Sequence, residues 1–215
     1  MATEAVLQTT RPARSGWGLT LGTFAALLIG SLLLLAIAGV GEAGVRSWIR
    51  ATARASIALF LMAFVARPLR QLWLSDASAW LLANRRYLGV SAALAQLLHG
   101  VAIVWLALGW PDPEPTDLTG LIGGGLGFAL YFAMGLTSSR AAVAALGKRV
   151  WKALHIAGAY WIWFIFALTN WGNVEYALSG KLGLGHQVLY VGIQAALFGA
   201  LGLRIFARVR APTSS

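Results

Sequence analysis

Six long apolar runs, separated by short polar segments, set the pattern of this chain. They lie at about residues 17–40, 48–66, 87–109, 118–138, 150–170 and 182–206. Each is long enough for one helix across a bilayer, which needs about 17–25 residues. The second run is the weakest of the six, because Arg50 and Arg54 fall in its first turns. The pattern therefore predicts an all-α integral membrane protein, built as a six-helix transmembrane bundle.

The polar segments are too short to form separate domains, and the longest connection runs from Arg67 to Arg86. We expect a tail at residues 1–16, a six-span domain at 17–206 and a second tail at 207–215. The first run follows Arg11 and Arg14, so it shares features with a cleaved signal peptide. Its length and the five runs behind it favour a retained helix.

Composition agrees with a protein surrounded by lipid. Hydrophobic residues make up 59% of the chain and charged residues only 11%, which leaves too little polar surface for a substantial soluble domain. The absence of cysteine excludes disulfides and thiolate-bound metal or iron–sulfur centres. The net charge of +10 comes from short basic clusters between apolar runs, and this scatter argues against nucleic-acid binding.

The basic residues also predict an orientation, because Lys and Arg are retained on the cytoplasmic side of short loops. With the N-terminus inside, the outer side holds only four of them, Arg46, Arg50, Arg54 and Lys181. The other thirteen fall on the inner side: Arg11, Arg14, Arg67, Arg70, Arg85, Arg86, Arg140, Lys148, Arg149, Lys152, Arg204, Arg208 and Arg210. Both termini are therefore expected in the cytoplasm.

Ionisable residues inside the spans are few, and such residues are usually kept for a function. All three histidines qualify, namely His99, His155 and His186. No acidic residue lies well inside a span, so a carboxylate relay or a pair of catalytic carboxylates is excluded. Imidazoles in an apolar helical bundle either ligate haem iron or make interhelical hydrogen bonds. The residues alone leave both interpretations open.

Four glycines in the fourth run could be mistaken for a phosphate-binding loop. They are Gly120, Gly123, Gly124 and Gly127. Because they stand in an apolar run with small residues four apart, they predict close packing between membrane helices.

Several short motifs, in order along the chain, carry a family resemblance. The sequence NRRYLG at 84–89 leads to His99, and LGKRVW at 146–151 leads to His155. TAR at 52–54 opens the second span, RPL at 67–69 closes it, and LTSS at 136–139 closes the fourth. From about residue 52 to 170 the chain resembles the ferric reductase-like transmembrane domain family. Within that family it is most similar to the haem-binding membrane subunits of bacterial periplasmic methionine sulfoxide reductase systems.

The resemblance implies b-type haem held between the third and fifth spans, with His99 and His155 at the ligand positions. Family members with two haems carry a second fifth-span histidine about thirteen residues after the first, and here that position is Leu168. Arg54 matches a family arginine that could hold a haem propionate as a bidentate anion partner. The alternative is that its side chain only extends to the membrane interface, as arginines near helix ends often do. Arg86, with its neighbour Arg85, could serve an inner propionate, although a topology signal explains this pair equally well.

Two haem arrangements remain open. At 1.5 Å per residue, His99 lies roughly 18 Å beyond Arg86, whereas His155 lies only roughly 9 Å beyond Arg149. One arrangement has a single haem on His99 and His155, which requires tilt to equalise their depths. The other has an outer haem on His99 with His186 and an inner haem on His155.

The function expected from this resemblance is electron transfer across the bacterial inner membrane. One haem b, or two, would pass electrons to a periplasmic reductase such as a methionine sulfoxide reductase. The sequence has no dedicated FMN or FAD domain, so the donor would be a quinol or a separate cytoplasmic reductase. Such a chain is an electron-transfer subunit without catalytic residues of its own. The alternative is a haem-free transport or scaffold protein whose histidines are structural.

Overall fold

The computed structural model describes residues 16–110 and 118–210, and within these ranges it contains helices and no strand. Six α-helices follow in order: α1 Gly16–Ala38, α2 Glu42–Leu72, α3 Asp76–Gly109, α4 Leu118–Leu136, α5 Arg140–Tyr176 and α6 Leu184–Arg210. A π-helical turn, Ala177–Lys181, follows α5. Five of the helices are long and apolar enough to cross a membrane, and α4 contributes a shorter apolar stretch. The segment between the third and fourth apolar runs, residues 111–117, lies outside the described residues.

The helices extend well beyond the apolar runs, and the predicted connection from Arg67 to Arg86 is wrong. The α2 helix continues through Pro68 to Leu72, and α3 already begins at Asp76. Ser75 begins α3 with a capping box, because its side chain accepts from the Ser78 N–H at 3.2 Å while the Ser78 hydroxyl accepts from the Ser75 N–H at 3.1 Å. Hydropathy marks the part of a helix that lipid surrounds, whereas a cap marks where the helix starts.

A layer of buried apolar side chains holds the bundle together between α2, α3, α4, α5 and α6. Its members include Phe60, Phe64, Leu88, Tyr131, Ile162, Phe166 and Leu197. On the outer faces large apolar side chains such as Leu32 and Val188 are exposed, as expected where lipid replaces water. Polar contacts join helices inside the bundle: the Asn170 amide donates to the Gln194 side-chain oxygen at 2.7 Å.

The glycines of α4 do not all serve close packing as predicted. A methyl group at Gly123 would lie 3.3 Å from Ile165, so this position does pack closely against α5. At Gly124 and Gly127 nothing lies within 4 Å of where a Cβ would be. Both line a cavity instead. The packing around Gly120 is not among the features that the structure describes.

One glycine inside α5 interrupts that helix. Gly147 has φ 76° and ψ 150°, a conformation that residues with a Cβ rarely adopt. The break separates residues 140–146 from the rest of α5. The predicted fifth span, at about 150–170, therefore lies wholly in the part of α5 after the break.

Candidate functional site

Two cavities lie one after the other along the bundle, and each contains one of the predicted site histidines. The first, here called the His99 cavity, has a volume of about 350 Å³ and is lined by residues 49–57 of α2 and 162–173 of α5, among others. The second, the His155 cavity, has about 1020 Å³ and is lined by residues 60–71 of α2 and 151–162 of α5, among others.

A thin wall of side chains separates the cavities, because Tyr131 and Ile162 line both of them. Tyr131 is only 5% exposed. Its hydroxyl lies 3.3 Å from the Ser56 hydroxyl, and its ring lies within about 6 Å of the rings of Phe60 and Phe166. Packing and this hydrogen bond therefore fix the wall in place.

His99 presents one ring nitrogen as a ligand would. Its Nδ1 lies 3.1 Å from the Ile49 carbonyl oxygen. Since a carbonyl can only accept, Nδ1 carries the proton and donates, which leaves the lone pair on Nε2. The ring is stacked on Phe128 with an interplanar angle of 8°. Metal-ligating histidines almost always donate their other ring N–H in this way, so His99 has the second contact that a metal ligand needs.

His155 has the opposite arrangement. Its Nε2 lies 3.2 Å from the Thr137 hydroxyl oxygen, and that hydroxyl donates to the Ala133 carbonyl at 2.5 Å. Because the Thr137 hydroxyl proton is already used in the bond to Ala133, the His155 Nε2 donates to the Thr137 oxygen and the lone pair lies on Nδ1. The Trp151 ring packs against the imidazole with a centroid distance of 4.2 Å. Ligation through Nε2 would require the bond to Thr137 to break.

The structure does not bring the predicted ligands together in one cavity. His99 and His155 line separate cavities, in keeping with the unequal depths inferred from the sequence. His186 is exposed and does not line either of them. Its ring centroid lies 6.5 Å from that of Tyr190, and Tyr190 lines the His99 cavity.

On α5, Leu168 stands at the position of the family's second fifth-span histidine. Leu168 is 58% exposed, whereas the next residue, Thr169, lines the His99 cavity. Each residue of an α-helix turns by about 100°, so the residue thirteen positions after His155 points away from the face that carries His155. The residue fourteen positions after it completes nearly four turns and returns to about the same face. Thr169 is therefore the residue that occupies the cavity-facing position on this helix.

Arg54 lies where an anion partner would be useful, in the wall of the His99 cavity. Its guanidinium donates to the Tyr190 hydroxyl at 3.2 Å and lies 5.5 Å from the centre of that ring. Arg50 lines the same cavity but donates to the Ser47 hydroxyl at 2.9 Å. Arg54 is therefore the residue to test for binding of an anion, and Arg50 is its control.

Arg86 lines the His155 cavity, as does Arg85. The Arg86 guanidinium lies over the rings of Trp17 and Tyr87, at 5.4 and 5.6 Å from their centres. Arg85 donates to the Ala63 carbonyl at 3.1 Å. Both arginines thus contact other groups of the bundle, and they could bind an anion in the cavity as well.

Sequence reasoning missed the uncharged polar residues of the His99 cavity, among them Gln96 and Tyr190. Gln96 is 7% exposed and its side-chain oxygen has no hydrogen-bond partner. Its spacing of three residues from His99 puts both on one face of α3, which the sequence could have revealed. Tyr190 depends on the contact between α6 and α2, which no local pattern shows.

The donor set limits the chemistry of the site. Among residues 16–110 and 118–210 no group of three or more His, Cys, Asp or Glu side chains converges on one point. A porphyrin supplies four equatorial nitrogens itself, so its iron needs only axial protein ligands. Isolated imidazoles that line cavities of a helical bundle are consistent with that kind of cofactor.

Comparison with known proteins identifies one informative relative. The protein-methionine-sulfoxide reductase heme-binding subunit MsrQ of Azospira oryzae is 33% identical over 157 residues. The match covers 71% of this chain and 61% of the relative, so the chain spans less than two thirds of the relative's length. No family model matches the chain, and no solved structure matches it. The relative and the five long apolar helices confirm the predicted multi-pass location in the bacterial inner membrane. Over most of its length the chain therefore resembles the membrane subunit MsrQ, and this similarity supports the family predicted from the sequence.

Proposed function

We propose that this protein binds b-type haem in the membrane and relays electrons across the bilayer. The observation that carries the proposal is His99, whose Nδ1 is fixed by the Ile49 carbonyl while Nε2 is left as a ligand beside an apolar cavity. The relative MsrQ, named as a heme-binding subunit, supports the same cofactor. When bound, haem supplies a one-electron couple whose potential depends on axial ligands and burial.

The His99 cavity suits a flat apolar ring with acidic edges. Phe128 and Ile165 provide apolar walls, and the missing side chains at Gly124 and Gly127 leave room beside them. Arg54 would hold a propionate by charge-assisted hydrogen bonds, and Tyr190 positions the guanidinium through its hydroxyl. These residues bind and orient the group, while the apolar lining excludes water.

We place one haem in the His99 cavity. A single iron between His99 and His155 would need both imidazoles in one cavity, and they line separate ones. An inner haem on His155 would compete with the Thr137 hydrogen bond at Nε2. His186 would reach the His99 cavity only by reorienting beside Tyr190. Both alternatives are decided by the histidine substitutions described in the Discussion.

The orientation we propose has six spans with both termini in the cytoplasm, so the His99 cavity faces the outer side. A quinol or a separate cytoplasmic reductase would donate the electrons. The acceptor would be a periplasmic reductase, and the name of the relative suggests a methionine sulfoxide reductase. The basic-residue distribution supports this orientation.

Haem quantitation tests the proposal directly. Protein purified after haem-sufficient expression should show a Soret band and close to a single haem b per chain. The haem should be reducible by dithionite. Colourless protein that is folded and monodisperse would favour the haem-free transport or scaffold alternative.

A further inference from the structure

The His99 cavity offers a haem iron only one imidazole. Among the described residues that line this cavity, His99 is the only histidine, and no methionine, cysteine or carboxylate joins it. Haem iron in proteins is held by imidazole, thiolate, thioether or phenolate groups. For the second axial position of a haem bound through His99, the described lining therefore supplies at most a tyrosine.

The two tyrosines that line the cavity are already engaged in hydrogen bonds. The Tyr190 hydroxyl accepts from the Arg54 guanidinium at 3.2 Å. The Tyr131 hydroxyl accepts from the Ser56 hydroxyl at 3.3 Å, and its ring is fixed in the wall between the two cavities. Iron ligation by either phenol would break one of these bonds, so neither is prepared as a ligand in the way that His99 is.

The face of α5 that lines the cavity supplies no iron ligand either. It consists of Ile162, Ile165, Phe166, Thr169, Asn170 and Asn173. The Asn170 amide is engaged, because it donates to the Tyr190 carbonyl at 2.9 Å and to the Gln194 side-chain oxygen at 2.7 Å. Thr169 lines the cavity and is exposed, so no neighbouring side chain fills the space in front of it.

The lining also limits which molecule could coordinate in that space. Isoleucines from three helices, among them Ile57, Ile103 and Ile165, contribute to it. Burying an ion beside such side chains carries a large desolvation cost, whereas a small neutral molecule enters at little cost. The cavity therefore favours a small neutral molecule as the additional ligand.

We propose that His99 is the single protein ligand of the haem in this cavity, and that a small neutral diatomic molecule can coordinate in the open position beside Thr169. The inference rests on the haem binding proposed above. Coordination is reversible: the lone pair of the added molecule forms the bond to iron, a weakly held water leaves, and no electron is transferred. Because such a molecule binds reduced iron more tightly than oxidised iron, it stabilises the reduced state and would slow the onward transfer of the electron.

Titration of the dithionite-reduced protein with carbon monoxide tests the inference. The parent protein should form a carbon monoxide complex, and its oxidised haem should be high-spin by electron paramagnetic resonance. In Thr169→His a second imidazole is tethered at the cavity, where it acts at an effective concentration of about millimolar. This variant should therefore become low-spin and bind carbon monoxide about tenfold or more weakly.

Leu168→His is the matched control, because it adds the same side chain one position earlier, where the parent residue is 58% exposed. It should resemble the parent in spin state and in carbon monoxide affinity. Two results would overturn the inference: a parent that is low-spin and does not respond to carbon monoxide, and equal behaviour of the two histidine variants.

The parent measurement needs no variant that folds, so the inference stays testable if Thr169→His is unstable. A folded protein without a Soret band would contradict haem binding itself. A Soret band from low-spin haem that carbon monoxide leaves unchanged would contradict only the open position, so the two failures are distinguishable.

Discussion

The two cavities contain the same kind of side chain but prepare it for different tasks. In the His99 cavity a backbone carbonyl accepts a hydrogen bond from Nδ1 and leaves the lone pair of Nε2 available as a ligand. In the His155 cavity the Thr137 hydroxyl, which itself donates to the Ala133 carbonyl, accepts a hydrogen bond from Nε2 instead. A histidine in a membrane helix is therefore not a haem ligand by residue type alone, because its hydrogen-bond partner decides which nitrogen is available.

The cavities also differ in size and charge. The His99 cavity is small, about 350 Å³, with two arginines in its wall, whereas the His155 cavity has about 1020 Å³ and seven basic side chains. The smaller one suits a cofactor held by a single strong ligand. The larger one offers many weaker contacts to an anionic group.

The first test asks which cavity faces which side, and its expected effect is all-or-none. Cysteines introduced singly at Ser75 and Thr116 should react with a membrane-impermeant maleimide from opposite sides, with Thr116 outside. The basic-residue distribution gives this direction. Labelling of both positions from the same side of sealed vesicles would refute the six-span orientation.

The second test removes each imidazole separately. His99→Ala should abolish most of the Soret absorbance, because loss of an axial ligand should exceed the 10–100-fold effect typical of outer-shell changes. His155→Ala and His186→Ala should retain most of it. The assay needs no excess haem, so that weakened binding is visible.

Other outcomes of the same series would identify the alternative arrangements. Loss of one low-spin haem in both His99→Ala and His155→Ala would support a single iron shared between them. Partial loss in each, with His186→Ala perturbing the component that His99→Ala removes, would support two haems. Unchanged spectra in all three variants would reject haem ligation by these residues.

The third test fills the smaller cavity. Gly127→Leu should place a side chain in the space beside Phe128 and weaken haem binding about thirtyfold, because overpacking by a large side chain costs about 2 kcal/mol. Gly125→Leu, at an exposed position of the same helix, is the control and should leave occupancy unchanged. Equal occupancy in the two variants would place the cofactor elsewhere in the bundle.

The fourth and smallest expected effect concerns the arginines of the His99 cavity. Arg54→Gln should weaken haem binding about tenfold, in line with loss of one hydrogen bond to a charged group, and should shift the midpoint potential. Arg50→Gln should change both quantities less, since Arg50 donates to Ser47. Identical potentials for Arg54→Gln and the parent would return Arg54 to simple snorkelling at the interface.

The sequence predicted most of the membrane architecture, because apolar run length depends only on the thickness of the bilayer. It failed at the helix ends, where the Ser75 cap rather than hydropathy starts α3. It also does not show which residue of α5 faces the His99 cavity, where Thr169 lines the cavity and Leu168 is exposed. Such differences of one residue require helix geometry, not composition.

The chemistry of the histidines was only partly accessible from the sequence. Their placement inside apolar spans was visible, and the relative supports the family. The bond from His99 to Ile49 joins residues 50 positions apart, so no local motif could reveal the tautomer. The same applies to Arg54 and Tyr190, which are 136 positions apart.

The wall formed by Tyr131 and Ile162 has a consequence for the permeability of the bundle. Tyr131 and Ile162 line both cavities, so they stand between the cation-lined cavity and the cavity that contains His99. The Tyr131 hydroxyl lies 3.3 Å from that of Ser56 and helps to keep the ring in this position. Electrons tunnel through packed side chains, whereas water and protons need an opening, so this layer would oppose ion leakage and still leave an electron path intact.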